Sequence, residues 1–259
     1  MLTHNDMGGI ARTLERFLPL VEDDLFCEMP ILDNGSTDGT SEYLQSVTSS
    51  SKVTVILSAV NLGVAKGRQA LFAAAKGDLI ASLDSDVSVN GTGWFLRAKE
   101  ALHKSPRIGI CGCSGYLARL GANSLFLRPW NYDSRVDCVS GFCQFFPKKL
   151  LETVQLSDEF SPFWCEDTDF CFQAIQNGYQ VRHISGNGEL DHTYHSITSR
   201  RDDPRKQRHE ALLARKWKDR ISLMGASWLA RIVLLAEVAA KKAFRALFSR
   251  VHGFIAHRR

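Results

Sequence analysis

Several things are missing from this 259-residue sequence, and each absence removes a class of function. In the C-terminal part the longest uncharged run, Ile221–Ala230, is too short to cross a bilayer. Met1-Leu2-Thr3-His4-Asn5-Asp6 has neither the basic leader nor the apolar stretch of a secretory signal. The seven cysteines, an odd number, include no CxxC pair and no second cluster at zinc spacing. Cys111 and Cys113 fall on one strand and read as packing residues, so the usage fits reduced thiols in a reducing compartment. No glycine-rich loop bearing Lys or Arg follows the first strand; Gly8-Gly9 with Arg12 is a poor match to one that cradles a triphosphate, which argues against a nucleotidyltransferase.

What remains is ordinary for a soluble globular protein: 44% hydrophobic and 23% charged residues. The length suits one domain with an appendage or two small domains. A net charge of +4 hides an asymmetry, because residues 200–259 carry 16 Lys/Arg against 5 Asp/Glu while the first 199 carry 16 against 23. An acidic body with a basic tail speaks about partners rather than fold.

The first ninety residues alternate short strands and helices, the pattern of βαβ units on a parallel sheet. Of a first strand only Leu2-Thr3 falls within the chain, and an amphipathic helix follows through Ile10, Leu14, Phe17 and Leu18. Met29–Leu32 ends in the turn- and cap-rich Asp33–Thr40, and a helix over Ser41–Val47 follows. Val53–Leu57 is a β-branched strand, and Asn61-Leu62-Gly63 turns into a helix over Val64–Ala75. Leu79–Leu83 then stops abruptly at Asp84-Ser85-Asp86. Polar strand ends on one edge of a parallel sheet form a binding crevice. On extended backbone Asp84 and Asp86 would point the same way and could serve one cation or a ribose–metal pair; an acidic turn capping the next helix reads the same letters differently.

The middle section is expected to hold a helix over Trp94–Lys104, a strand over Ile108–Cys113, an irregular stretch through Asn123–Asp133, and a strand-like run over Asp137–Phe146. Gly141-Phe142-Cys143 in that run signals close backbone approach to a neighbour or ligand. Glu166, Asp167 and Asp169 open a helix Phe170–Gln176 behind the aromatics Phe160, Phe163 and Trp164. The helix dipole accounts for Asp169 but less well for the other two. Tyr179–Ile184 is another strand, and the histidines of Asp191-His192-Thr193-Tyr194-His195 beside an acid-rich site are metal-ligand candidates. Ile197–Gln207 reads as a polar loop, and His209–Arg259 as basic amphipathic helix with Trp217, Trp228, Leu235 and Phe248 on its apolar face. Such a helix lies on anionic lipid, at roughly 1 kcal/mol per basic residue, or packs on the body or a second subunit. Its apolar face has no role in nucleic-acid binding.

In order and spacing, Asp33-Asn34-Gly35-Ser36-Thr37-Asp38, Asn61-x-Gly63-x-Ala65-x-Gly67-Arg68, Leu83-Asp84-Ser85-Asp86, Glu166-Asp167-x-Asp169-Phe170-Cys171, Asn177-Gly178-Tyr179 and His192 resemble the inverting, family 2 glycosyltransferases of GT-A fold, in particular bacterial cell-surface polysaccharide enzymes. The likeness runs over about residues 1–220 and implies an α/β fold: a Rossmann-like nucleotide-binding half on a mostly parallel sheet, then an acceptor half, then C-terminal amphipathic helices. The expected division is a GT-A domain at 1–205 and a helical extension at 206–259. By resemblance Asp86 binds Mg²⁺ or Mn²⁺ directly, Asp84 lies near the ribose or reaches the metal through water, and His192 or its rival His195 is a further ligand. Thr3, Asn5, Asp33, Asn34 and Arg68 would hold the nucleotide of a UDP, GDP or dTDP sugar. One of Glu166 and Asp167, the second being preferred, would deprotonate the acceptor hydroxyl. The implied activity is metal-assisted sugar transfer with inversion (a hexosyltransferase-type reaction) to a glycan or lipid-linked acceptor. The implied place is the inner face of the cell membrane, held peripherally by the tail, with no nucleic-acid partner. The sequence departs from the pattern twice: little apolar sequence leads into the first motif, and Gly67-Arg68-Gln69 stands where Ala-Arg-Asn is usual. A degenerate GT-A domain serving as a membrane-associated scaffold is the alternative, with a nucleotidyltransferase behind it.

Overall fold

The computed structural model describes residues 1–22, 25–47, 50–130, 132–186, 188–192 and 203–224. Its first half alternates β1 (Leu2–Thr3), α1 (Met7–Val21), β2 (Met29–Asp33), α2 (Thr40–Val47), β3 (Val53–Leu57), α3 (Gly63–Ala74) and β4 (Leu79–Leu83). Asp6 caps α1 by accepting the Gly9 N–H at 3.2 Å, and Ile10, Leu14, Phe17 and Val21 bury the helix's apolar face, as their spacing requires. β1, β2 and β3 are parallel, with Thr3 opposite Asp33, and Leu2 bridges in parallel to Asp84 on the other side. The two-residue β1 thus brings the carboxyl ends of β2 and β4 beside its own, and the polar strand ends of the sequence become one edge.

The second half contributes β5 (Val87–Val89), α4 (Gly93–Lys104), β6 (Ile108–Gly112), β7 (Gly115–Leu120), β8 (Leu125–Trp130), β9 (Arg135–Val136), β10 (Cys138–Val139), β11 (Cys143–Pro147), α5 (Glu166–Gln176), β12 (Gln180–His183), β13 (Leu190–His192) and α6 (Pro204–Trp217). Here the sheet is mixed. Its order is β4-β11-β6-β12-β9, with β11 antiparallel to both neighbours and β12 parallel to β6. β11 carries Phe145 into one hydrophobic cluster and Phe146 into the other, so the strand is buried on both faces.

Three expectations change. The stretch over 123–133 is not irregular: Leu125–Trp130 pairs residue for residue with Gly115–Leu120 in an antiparallel hairpin, a strand whose signal Pro129 obscures. The run over 137–146 is broken into short strands by a turn at Ser140–Phe142. The loop expected over 197–207 ends sooner, because Asp203 caps α6 by accepting the Arg205 N–H at 2.9 Å and Pro204 occupies the first turn, where its missing N–H costs nothing.

The division expected at 205/206 falls inside that first turn. α6 packs on the body through Leu213, Ala214 and Trp217, and the Trp217 indole donates to the buried Asp169 at 2.6 Å. His195 and residues 225–259, with the apolar positions Trp228, Leu235 and Phe248, lie outside the described residues. Among the described residues no helix is long and apolar enough to cross a membrane.

Trp217→Ala removes a large buried ring and leaves Asp169 short of a donor. It is expected to cost about 3–5 kcal/mol in denaturant unfolding; a loss under about 1 kcal/mol would show that α6 is not part of the cooperative unit.

Candidate active site

The carboxylates at the end of β4 converge through a turn, not along an extended strand as the spacing suggests. Asp84 is the last residue to pair, and the chain turns at Ser85-Asp86 before β5. The Thr13 hydroxyl lies 2.7 Å from the carbonyls of both Ser85 and Val87, and the Ser85 hydroxyl donates to Asp6 at 2.9 Å, which fixes the turn. β13 pairs antiparallel with β5 and sets His192 opposite Val87, one residue from Asp86. The His192 Nε2 is 3.1 Å from Asp86 Oδ1, and its ring stacks on Phe142 with centroids 4.8 Å apart and planes 3° from parallel. Asp84, Asp86 and His192 each offer a ligand atom within 4.8 Å of the others. Burial alone would lower the His192 pKa, but the hydrogen bond to Asp86 and the charges of Asp86, Asp84 and Asp191 raise it above the ordinary value. Two carboxylates and an imidazole make a donor set of hard oxygens and one borderline nitrogen, which suits Mg²⁺ or Mn²⁺.

Arg68 is the second element. It is only 3% exposed, on the buried face of α3, and its guanidinium donates to Asp84 and, at 3.0 Å, to the Gly141 carbonyl. Its Nη1 lies 3.9 Å from Glu166. A side chain cannot replace the hydrogen of Gly141, because a Cβ there would sit 2.7 Å from Arg68 Nη1 and 3.1 Å from the Asp167 Cβ. The close approach that the sequence signals at Gly141 is therefore to this arginine and this acid.

The acids of α5 form the third element, and the helix starts at Glu166, earlier than its apolar pattern indicates. Trp164 and Cys165 before it adopt left-handed φ angles of 84° and 77°, unusual for residues with side chains and costing roughly 1–3 kcal/mol each. Asp167 accepts the Gly141 N–H at 2.7 Å and its neighbour Thr168's N–H at 2.6 Å. Burial raises its pKa, against the opposing pull of Arg68 and these donors. Glu166 has fewer partners, and its Oε2 meets none among the described residues. Burial first, and the charge of Asp167 second, push its pKa up to about 8, with Arg68 opposing. All three elements line one cavity of about 610 Å³, whose remaining wall includes Tyr116, Leu125, Leu127, Phe163, Trp164 and Lys206.

The other candidates sit along the ends of β1 and β2. The Thr3 hydroxyl is buried without a partner among the described residues. Asn5, at φ 49°, is exposed and accepts the Thr37 N–H at 2.7 Å. Asp33 accepts from Ser36 and Ser41, and Asn34 donates to Asn61 at 3.1 Å and Gly63 at 3.2 Å while accepting from Leu62 at 2.9 Å. These two side chains brace the loops that border the crevice. Sequence reasoning missed Thr13, Lys206 and the stacking of Phe142 on His192; each acts through tertiary contacts that no local pattern marks.

Residues 1–119 match the family model described as Glycosyl transferase family 2. The solved structures with similar folds include a mannosyltransferase from Pyrobaculum calidifontis in complex with GDP-Man and Mn²⁺ (17% identity, TM-score 0.53, covering 73% of this chain and 56% of that one). They also include GalNAc-T7 with UDP, GalNAc and Mn²⁺ (15%, 0.59, 71% and 41%) and TarS of S. aureus, residues 1–349 (20%, 0.54, 74% and 58%). The chain carries a GT-A fold, and its first 119 residues are similar to the family 2 glycosyltransferases. It spans about 41–58% of the length of these three GT-A structures. A sequence comparison with curated proteins finds no match.

In this GT-A chain the raised pKa of Glu166 has a consequence for stability. An acid that titrates near 8 when folded and near 4.5 when unfolded costs stability progressively as pH rises between those values. Glu166→Gln removes the titration, so its melting temperature relative to wild type is expected to be distinctly higher at pH 8 than at pH 5. Equal differences at the two pH values would contradict the burial of an unpartnered carboxyl.

Proposed function

We propose that the protein is a metal-assisted glycosyltransferase that moves a sugar, with inversion, from a nucleoside diphosphate sugar to a hydroxyl of a glycan or lipid-linked acceptor. The observation that carries this reading is one cavity with Asp84 and His192 on one side, Asp86 held 3.1 Å from His192, and Glu166 and Asp167 on the other side, joined by Arg68. The similar folds solved with GDP-Man or UDP and Mn²⁺ support it.

Asp86 and His192 would hold Mg²⁺ or Mn²⁺, with Asp84 near the ribose or reaching the metal through water. When bound, the cation supplies positive charge for a diphosphate leaving group. Thr3, Asn5, Asp33 and Asn34 would line the nucleoside end, with the last two acting mainly through the loops they brace. Arg68 holds Asp84 in place and keeps one face of the acid pair positive.

Asp167 is the base. It would take the proton from the acceptor hydroxyl as that oxygen attacks the anomeric carbon from the face opposite the diphosphate. Its peptide N–H donors favour the ionised form, whereas Glu166, pushed up to about 8, holds its proton at neutral pH. A carboxylate whose pKa burial raises is also the stronger proton acceptor. The acceptor class, hexosyl transfer and peripheral attachment to the inner membrane face through the basic tail belong to the same proposal.

Asp167→Asn keeps the shape and removes the base. Turnover of the nucleotide sugar is expected to fall by about 10²–10⁴-fold with donor affinity unchanged. Wild-type turnover in this variant would overturn the assignment.

A further inference from the structure

α6 brings one residue to the cavity, and the chemistry read so far gives it no role. Lys206, on its first turn, is only 6% exposed and lines the cavity. Its ammonium stands 4.1 Å from the centroid of the Trp164 ring. Among the described residues it has no carboxylate or hydrogen-bond acceptor within reach. The described acids nearest in sequence are engaged elsewhere: Asp203 is paired with Arg205 at 2.6 Å, and Glu210 accepts the Trp164 indole N–H at 3.1 Å. Burial lowers the Lys206 pKa, against the pull of both acids. An ammonium whose stem is buried and whose head faces the cavity without an acceptor is placed to receive an anion that a ligand brings.

The position selects the source of that anion. Trp164 stands two residues before Glu166, so Lys206 lies on the side of the acid pair, whereas the cluster of Asp84, Asp86 and His192 is built on β4, β5 and β13. The β7–β8 hairpin turns no acid towards the cavity, and its Arg119 and Arg128 lie on the face opposite the cavity-lining Leu125 and Leu127, so Lys206 is the cation that this side presents. Apolar Tyr116, Leu125 and Leu127 complete that side.

We propose that Lys206 binds a phosphate carried by the acceptor, so that the acceptor is a phosphorylated glycan or a lipid phosphate. This rests on the glycosyltransferase reading of the cavity and names its substrate class. Lys206 is a specificity residue, and the donor diphosphate is served from the opposite side.

The test uses the full chain as wild type, Lys206→Met and Lys206→Arg, titrated calorimetrically with sn-glycerol 3-phosphate and with geranyl phosphate, with and without Mn²⁺ and whichever of UDP, GDP or dTDP binds. At least one phosphate probe is expected to bind wild type. Its affinity should fall about tenfold or more in Lys206→Met and be largely kept in Lys206→Arg, with nucleotide affinity unchanged throughout. Preference for geranyl phosphate assigns a lipid phosphate, and preference for the glycerol ester a glycan phosphate. Equal probe binding in Lys206→Met and wild type, or no binding of either probe to wild type, overturns the proposal. So does a loss of nucleotide affinity in Lys206→Met, which would give the ammonium to the donor. If no nucleotide binds while a phosphate probe still depends on Lys206, the glycosyltransferase reading fails and the phosphate site stands.

Discussion

A guanidinium buried among acids is the constraint on which this structure turns. Arg68 has almost no contact with water, and it answers Asp84 on one side and Glu166 on the other. Removing one member of such a set leaves an uncompensated buried charge, at a cost of about 3–5 kcal/mol. The arrangement therefore couples the metal-side carboxylates to the base-side carboxylates through one side chain. It also explains why the backbone comes so close at Gly141, whose carbonyl accepts from Arg68 and whose N–H donates to Asp167.

The fold delivers these groups by unequal means. Short parallel strands put Thr3, Asp33 and Asp84 in a row, which is a property of sheet order alone. His192 arrives by a three-residue antiparallel pairing with β5, and its ring is held by Phe142 from the turn before β11. Two left-handed residues before α5 aim the acid pair into the cavity, so backbone strain sits where the chemistry is proposed. α6 brings Lys206 to the far side of the cavity.

Much of this was legible in the sequence because it is local. Strand–helix alternation, abrupt acidic strand ends and acids at a helix start are patterns within ten residues, and each survives in the structure with a boundary moved by a few positions. Asp84, His192, Arg68, Glu166 and Asp167 line one cavity, and Asp86 joins them through His192. What could not be read depends on partners distant in the chain. The hairpin over 115–130 was hidden because Pro129 masks an edge strand, and the start of α6 because its first turn looks like polar loop. Asp84 and Asp86 converge through a turn held by Thr13, more than seventy residues away, which no spacing rule contains.

The most direct test of the account is calorimetric titration of UDP, GDP and dTDP, each with and without Mn²⁺, into wild type and Asp86→Ala. The account predicts that one nucleotide binds wild type only when Mn²⁺ is present and that Asp86→Ala abolishes this metal-dependent binding. Binding that ignores both the metal and the substitution would contradict it.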